Sequence, residues 1–314
     1  MVRSASIRWD VVAALSVALL AGCGGAEMAT SAAAPHGATP SITFSPEKSW
    51  MSGSTGGDLL YVSDGKTSSV YIFTFPGGKK VGTLTNLPAS GLCSDSNGNV
   101  WIPNAYNGYV LEYAHGGTSP ISTLHNSGYI GTDCSVDPKT GDLAVADYYG
   151  RNVAIFTGAE GAPTYYDTGI VRNPEFVRYA NADNLFAASS GHVLSVLHRG
   201  SSTFKKFQVH PNDSRHTGLQ YDGQYLTDIG TDNGVVNRYE IMRSKGNRAG
   251  KVKLSVCCGV YFWIHASSLL MPMISSYKTG IYVFKYPGGR EPTKIIKESS
   301  DPIGVTVSVA PSRR

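Results

Sequence analysis

The chain has 314 residues, of which 41% are hydrophobic and only 16% charged; this composition excludes an intrinsically disordered protein, and the length allows a sizeable core. Thirty-six glycines, eighteen tyrosines and many short Val, Ile and Tyr runs favour strands and tight turns, and no helical apolar spacing follows the first 25 residues, so we predict an all-β protein. The net charge is +4, with Lys and Arg scattered along the sequence, which argues against nucleic-acid binding.

The first element in the chain is a leader. Arg3 and Arg8 precede the apolar run "VVAALSVALLAG", which is too short to span a bilayer and is typical of a signal peptide. Residues 20–23, Leu-Ala-Gly-Cys, resemble the lipobox of bacterial lipoproteins, in which the cysteine is acylated. The alternative is ordinary secretory cleavage beside an incidental Cys23.

We therefore predict three segments: a lipoprotein signal peptide at residues 1–22, a lipidated Cys23 with a flexible tether at residues 23–41, and a β-propeller at residues 42–314. The tether is rich in small residues and proline and reaches ~23 Å as a flexible coil. The expected location is the bacterial cell envelope, with a lipid anchor in the membrane. Gly24 favours the outer membrane where there are two.

A repeat organises the rest of the chain. "VYIFTFPGG" at residues 70–78 returns as "IYVFKYPGG" at residues 281–289, with four weaker copies between them. The spacing is roughly 42 residues, with several short strands per unit, which is typical of a β-propeller. A solenoid or two separate sandwiches is the alternative.

Each unit has three evident strands. A further short apolar segment precedes units two to six: "SGLCSD", "TDCSVD", "PEFVRY", "HTGLQYD" and "GVYFWIH". The first unit lacks such a segment, and "DPIGVTVSV" at residues 301–309 can supply it. We predict a six-bladed β-propeller with four-stranded blades, in which the C-terminal strand completes the first blade and leaves no open edge.

Two segments, "YVSDGKTSSVYIF" and "AVADYYGRNVAIF", lie beside D-x-x-G-N/D-L/V turns and resemble the NHL-type repeat. The resemblance extends over about residues 55 to 310. The chain also resembles the wider group of six-bladed propellers that contains gluconolactonase-like and streptogramin-lyase-like proteins. This resemblance implies the architecture but not the chemistry, since that superfamily contains hydrolases, lyases and binding scaffolds.

The residues at the starts of the six inner strands, where propellers usually bind ligands, are mostly polar. They are Asp301, Ser90, Asp133, Glu175, His216, and Val256 or Cys257. Asp133, Glu175 and Asp301 are candidate ligands for a divalent cation such as calcium. The resemblance implies a metal-binding Glu, a part that Glu175 could take, although the full ligand set of gluconolactonase-like proteins is missing. The alternative is a solvated channel without metal.

The loops between second and third strands are rich in tyrosine. They contain Tyr106, Tyr109, Tyr148, Tyr149 and Tyr277, beside several Asn and Asp residues. Such a mixture suits a protein or glycan partner, and the alternative is ordinary turn chemistry. No Ser-His-Asp spacing, Gly-rich phosphate loop or G-x-S-x-G motif is present, so nucleophilic catalysis has no support and no catalytic or cofactor-binding residue is predicted.

Four cysteines follow Cys23. Cys93 and Cys134 occupy matching places on adjacent inner strands and are a candidate disulfide. Cys257 and Cys258 could form a vicinal disulfide or stay as buried thiols.

The predicted function is that of an exported binding or scaffolding module for an envelope protein or a glycan. The alternatives are a metal-dependent hydrolase or lyase, lactonase-like, at the channel mouth, and a structural envelope protein without a small ligand.

Overall fold

The computed structural model describes residues 49–311, apart from 54–55, 127–130, 181–183, 214, 231–233, 258 and 275–278. The described residues form β-strands and one 3-10 turn, Thr157–Ala159. Within these ranges no helix is long and apolar enough to cross a membrane. The prediction of an all-β protein is confirmed.

The first twelve strands are β1 (Trp50–Met51), β2 (Leu59–Asp64), β3 (Ser69–Thr74), β4 (Lys80–Leu84), β5 (Cys93–Ser94), β6 (Val100–Pro103), β7 (Tyr109–Tyr113), β8 (Ser122–His125), β9 (Gly131–Val136), β10 (Leu143–Asp147), β11 (Asn152–Phe156) and β12 (Thr164–Asp167). The remaining strands are β13 (Phe176–Ala180), β14 (Asn184–Ala188), β15 (Leu194–Leu197), β16 (Lys205–His210), β17 (Thr217–Tyr221), β18 (Leu226–Gly230), β19 (Val235–Met242), β20 (Lys245–Lys253), β21 (Trp263–His265), β22 (Ser268–Met273), β23 (Gly280–Lys285), β24 (Pro292–Ile296) and β25 (Pro302–Ser308).

These strands build five sheets. Three are four-stranded antiparallel meanders in chain order, β5–β8, β9–β12 and β21–β24. A fourth has the order β1-β4-β3-β2-β25. The fifth has eight strands and consists of two meanders, β13–β16 and β17–β20, whose outer strands β16 and β20 pair in parallel over three residues each.

The innermost strands contact one another in a closed circle. β25 contacts β5, and the contacts continue through β9, β13, β17 and β21 back to β25. Inner strands such as β2 and β10 are buried along their whole length, whereas the outer strand β12 is exposed at three of four positions. This gradient from centre to rim, together with the circle, gives the propeller-like arrangement that the repeat predicts.

The C-terminal strand joins the first sheet, because β25 pairs antiparallel with β2 from Leu59↔Ser308 to Asp64↔Pro302. The two copies of the nine-residue repeat lie in neighbouring sheets. Phe75, in the first copy, packs edge-on against His265 at 5.6 Å between ring centroids. The Nζ of Lys294 donates hydrogen bonds to carbonyl oxygens of the first copy's Pro-Gly turn, Pro76 and Gly77. The recurrence of the sequence therefore reflects two equivalent hairpins at the closure.

Candidate functional site

The turns after the second strand of three successive sheets share one construction. Each begins with a buried side-chain acceptor: Asp64, Asn104 or Asp147. Oδ1 of Asp64 accepts the Thr67 N–H at 2.9 Å, Oδ1 of Asn104 accepts the Tyr106 N–H at 2.9 Å, and Oδ1 of Asp147 accepts the Gly150 N–H at 2.8 Å. These side-chain oxygens accept hydrogen bonds from the backbone of their own turns. This agrees with the alternative that the Asn and Asp residues of these loops serve turn formation.

Two residues after each acceptor, the side chain is exposed at the end of the turn. These residues are Lys66, Tyr106 and Tyr149, which we call the turn tips. Tyr106 is 73% exposed and Tyr149 is 60% exposed. Tyrosine gives a large contact area at a low entropy cost when it is ordered by a partner. The exposed tyrosines are therefore suited to contact with a partner, and the buried side chains of Asn104 and Asp147 order the turns that carry them.

The other predicted rim tyrosines are less accessible. Tyr148 is half-buried, lies edge-on to Tyr149 at 5.1 Å between centroids, and its carbonyl accepts the side-chain N–H of Asn173 at 2.8 Å. Tyr109 is half-buried and packs edge-on against His125 at 4.6 Å. Tyr277 lies outside the described residues.

The turn tips share their edge of the sheets with the connections that lead from each outer strand to the next inner strand. This edge, which we call the loop face, also carries apolar side chains that the sequence analysis missed. Ile170 is 49% exposed, Val260 is 40% exposed and Ile274 is 64% exposed. A single exposed apolar residue is ordinary, but several on the face that carries the tyrosine tips favour a contact surface.

The centre of the circle is filled with side chains. A cavity of about 10 Å³, room for one water molecule at most, is lined by residues from all six innermost strands or the segments that lead into them. The lining residues are Leu92, Asp133, Arg178, Gly218, Leu219, Gln220, Tyr261, Phe262 and Val305. At this level the centre therefore leaves no room for an open, solvated channel, because side chains from all six directions meet there.

Two buried ionisable side chains, Asp133 and Arg178, lie in this centre. The N–H of Val177 donates to Oδ2 of Asp133 at 3.1 Å, and Nε of Arg178 donates to the Leu219 carbonyl at 3.0 Å. Burial raises the pKa of Asp133 to about 7 even though the positive charge of Arg178 opposes it. Burial likewise lowers the pKa of Arg178, against the effect of Asp133. The hydroxyl of Tyr261 donates to the Thr132 carbonyl at 2.9 Å, across the circle.

The three candidate metal ligands have separate environments. Asp133 lies in the centre beside Arg178, Glu175 accepts a hydrogen bond from the hydroxyl of Ser190, and the backbone of Asp301 is bound to the carboxylate of Asp64 at 2.9 Å. Among the described residues, no group of three or more His, Cys, Asp or Glu side chains could hold a metal ion. The structure thus does not bring the predicted ligands together.

His216, another predicted residue at the start of an inner strand, is fully buried. Its Nδ1 is hydrogen-bonded to Oδ2 of Asp228 and its Nε2 to Oδ1 of Asn212 at 3.0 Å. Asn237 donates to the other oxygen of Asp228 at 2.8 Å. Both ring nitrogens are therefore engaged within the protein, and the side chain has no exposed surface.

The inner strands of two sheets are joined covalently. Cys93 and Cys134 form a disulfide with Cα atoms 5.5 Å apart, a separation usual for such bonds. Cys257 is also disulfide-bonded, and Cys258 lies outside the described residues.

Comparison with known proteins supports the fold alone. No protein-family model and no curated protein matches the sequence. Among solved structures, a chain of the nidogen–laminin complex is similar with a TM-score of 0.62 and 12% identity, over 81% of this chain and 99% of that one. A Bacteroides caccae protein of unknown function has a TM-score of 0.62 and 9% identity, over 80% and 99% of the two chains. AztD of Citrobacter koseri has a TM-score of 0.52 and 8% identity, over 81% and 98%. These neighbours have propeller-like folds, and the similarity supports a propeller-like fold for this chain.

Proposed function

We propose that the chain is a six-bladed, NHL-repeat-like β-propeller that is exported as a lipoprotein and binds a protein of the cell envelope through its loop face. Six blades follow if each meander of the eight-stranded sheet is one blade. The closed circle of six innermost strands and the central cavity that they line support this count. The parallel pairing of β16 with β20 then joins two neighbouring blades at their outer edges.

The sequence of the leader supports export and anchoring. The lipobox-like residues before Cys23 provide the acylation site, and the next 18 residues provide the tether. The disulfide-bonded state of Cys93, Cys134 and Cys257 suits an oxidising compartment outside the cytoplasm. If Cys23 is the anchor, Cys23→Ser abolishes incorporation of labelled palmitate and releases the protein from the membrane fraction. Labelling that persists in this variant would contradict the lipoprotein assignment.

The observation that carries the binding role is the pair of exposed tyrosines, Tyr106 and Tyr149, on turns that Asn104 and Asp147 hold rigid. Protruding aromatic tips match the flat or shallow surface of a protein better than a small ligand, which needs a concave lining. One structural neighbour comes from the nidogen–laminin complex, in which a similar fold occurs in an assembly of two proteins. Partner binding here is a proposal on that analogy and on the tips.

The test compares two double variants of the tagged full-length chain in its own cells. Tyr106→Ala/Tyr149→Ala removes the tips, and the matched control Ile121→Ala/Met242→Ala removes two apolar side chains, 59% and 44% exposed, that lie away from the loop face. After cross-linking, we expect the yield of envelope partner to fall about tenfold for the tip variant, as for a central aromatic contact, and to stay at the wild-type level for the control. Equal yields from both variants would refute the role of the tips.

A further inference from the structure

The parallel pairing of β16 with β20 gathers basic residues that are far apart in sequence. The two strands and the turn before β20 carry seven Lys and Arg residues: Lys205, Lys206, Arg243, Lys245, Arg248, Lys251 and Lys253. We call this set the basic strip. The carboxylates beside it are Asp213 and Glu240, so the strip has a surplus of positive charge in a chain whose net charge is only +4.

The strip has a defined geometry. In β16 the exposed residues Lys206, Gln208 and His210 alternate with buried Phe207 and Val209, so the three share one face. The register places Lys245 opposite Gln208 and Asn247 opposite His210. From Lys245 to Lys253 the strand extends over roughly 26 Å at the usual rise of an extended chain.

A pocket opens within the strip. It has a volume of about 390 Å³ and is lined by Lys206, Gln208, Val209, His210, Asn212, Lys245 and Asn247. The lining thus combines two ammonium groups with three side-chain amides and an imidazole. Arg248 is occupied, since its Nη1 donates to both oxygens of Asp213 at 2.7 and 2.9 Å. Lys206 and Lys245, by contrast, form no ion pair with a carboxylate in the described part of the chain.

We propose that the basic strip binds an acidic polysaccharide, one whose sugars carry carboxylate or sulfate groups. Lysine ammonium groups attract such anions, and the amides of Gln208 and Asn247 can both donate to and accept from sugar hydroxyls. The amide of Asn212 is already engaged, with Oδ1 bound to Nε2 of His216 and Nδ2 donating to the His192 carbonyl. A concave pocket suits a chain of sugars better than the flat surface of an anionic membrane. No Phe, Tyr or Trp side chain lines the pocket, and such side chains are the usual stacking platform for the bases of single-stranded nucleic acid. This site is separate from the turn tips and does not depend on them.

The test measures binding of fluorescently labelled polygalacturonate to the full-length protein by anisotropy, with neutral dextran as the uncharged probe. We expect saturable binding of polygalacturonate that weakens as salt is raised, and none of dextran. Lys206→Gln/Lys245→Gln should weaken binding about tenfold. The matched variant Lys79→Gln/Lys285→Gln removes the same charge at exposed positions outside the strip and should change binding less than twofold. Unchanged thermal unfolding in both variants confirms that each is folded.

Three results would overturn the proposal: no binding of polygalacturonate at low salt, equal weakening by the two double variants, or binding of vesicles that contain phosphatidylglycerol without binding of the polysaccharide. The last would assign the strip to a lipid surface. The Tyr106→Ala/Tyr149→Ala variant should bind polygalacturonate as the wild type does, so failure of the proposed protein contact and failure of this site are distinguishable.

Discussion

Asp64 connects the C-terminal strand to the first sheet through hydrogen bonds. We predict that Asp64→Asn strongly destabilises the protein. Its carboxylate, 1% exposed, accepts hydrogen bonds from the Ser299 hydroxyl at 2.7 Å and from the backbone N–H groups of Ser300 at 2.7 Å and Asp301 at 2.9 Å. The other oxygen accepts the Thr67 N–H. One side chain therefore connects the turn after β2 to the segment that enters β25.

The lowered pKa of Asp64 indicates how much its carboxylate contributes to stability. Burial alone would raise the pKa of Asp64, but the hydrogen bonds from Asp301, Ser299, Thr67 and Ser300 outweigh it and lower the pKa from 3.8 to about 2. Such a shift corresponds to about 2 kcal/mol of folding free energy. Because the folded pKa is the lower one, this stability is present above about pH 4 and is lost as the pH falls towards 2. An asparagine side chain has one acceptor oxygen in place of two, and its NH2 group would face backbone N–H donors that now bind a carboxylate oxygen. We therefore expect the free energy of unfolding to fall by about 3 kcal/mol at pH 7.

Urea denaturation at pH 7, followed by tryptophan fluorescence, measures this loss. The matched control is Asp147→Asn. Asp147 occupies the same turn position but, among the residues that the structure describes, accepts a hydrogen bond only from Gly150 in its own turn. Its expected loss is about 1 kcal/mol or less. If the two variants were equally stable, Asp64 would be an ordinary turn residue and the proposed fastening of the C-terminal strand would be wrong.

Three further changes have defined outcomes. The double variant Cys93→Ser/Cys134→Ser opens a loop of 41 residues, and its free energy of unfolding should fall by about 4 kcal/mol because the unfolded chain gains entropy. A reductant should destabilise the wild type more than this variant. An equal effect on both proteins would argue against the disulfide. Asp133 has a raised pKa, so its favourable contribution is present below about pH 4 and is lost as the pH rises through about 7. The stability of the wild type relative to Asp133→Asn should fall over that range, and a difference that rises with pH would show that the carboxylate is ionised in the folded state. Tyr286→Phe removes the hydroxyl that donates to Oδ2 of Asp222 at 2.6 Å and should cost about 1–2 kcal/mol in urea denaturation, whereas no loss would mean that water replaces it.

The propeller-like architecture was predictable because its sequence signals are local and recur along the chain. The "PGG" turn occurs in the first and last units. Turns with Asn, Asp and Gly, such as that at Gly98 with φ of 85°, and alternating apolar runs recur along the chain. The position of β25 followed from the missing strand of the first unit. The Cys93 and Cys134 positions matched because adjacent inner strands repeat the same register.

The candidate sites were harder to predict because they depend on contacts between distant segments. The strand "PEFVRY" gives no sign that Arg178 is buried where its charge acts on Asp133, 45 residues earlier in the chain. In the sequence, Lys206 and Lys245 are two of many scattered basic residues, because only the pairing of two outer strands brings them together. The tyrosines of the loops were recognised, but which ones are exposed is set by turns that Asn104 and Asp147 hold in place.

The binding role of the loop face is tested most directly by a photo-crosslinking amino acid placed at single positions of the full-length protein in living cells. Tyr106 and Ile121 belong to the same four-stranded sheet, on the loop face and away from it, and are 73% and 59% exposed. We predict a discrete, higher-mass adduct from position 106 and none from position 121, with the adduct at 106 lost in the Tyr149→Ala background. Equal adducts from the two positions, or none from position 106, would contradict a partner-binding loop face.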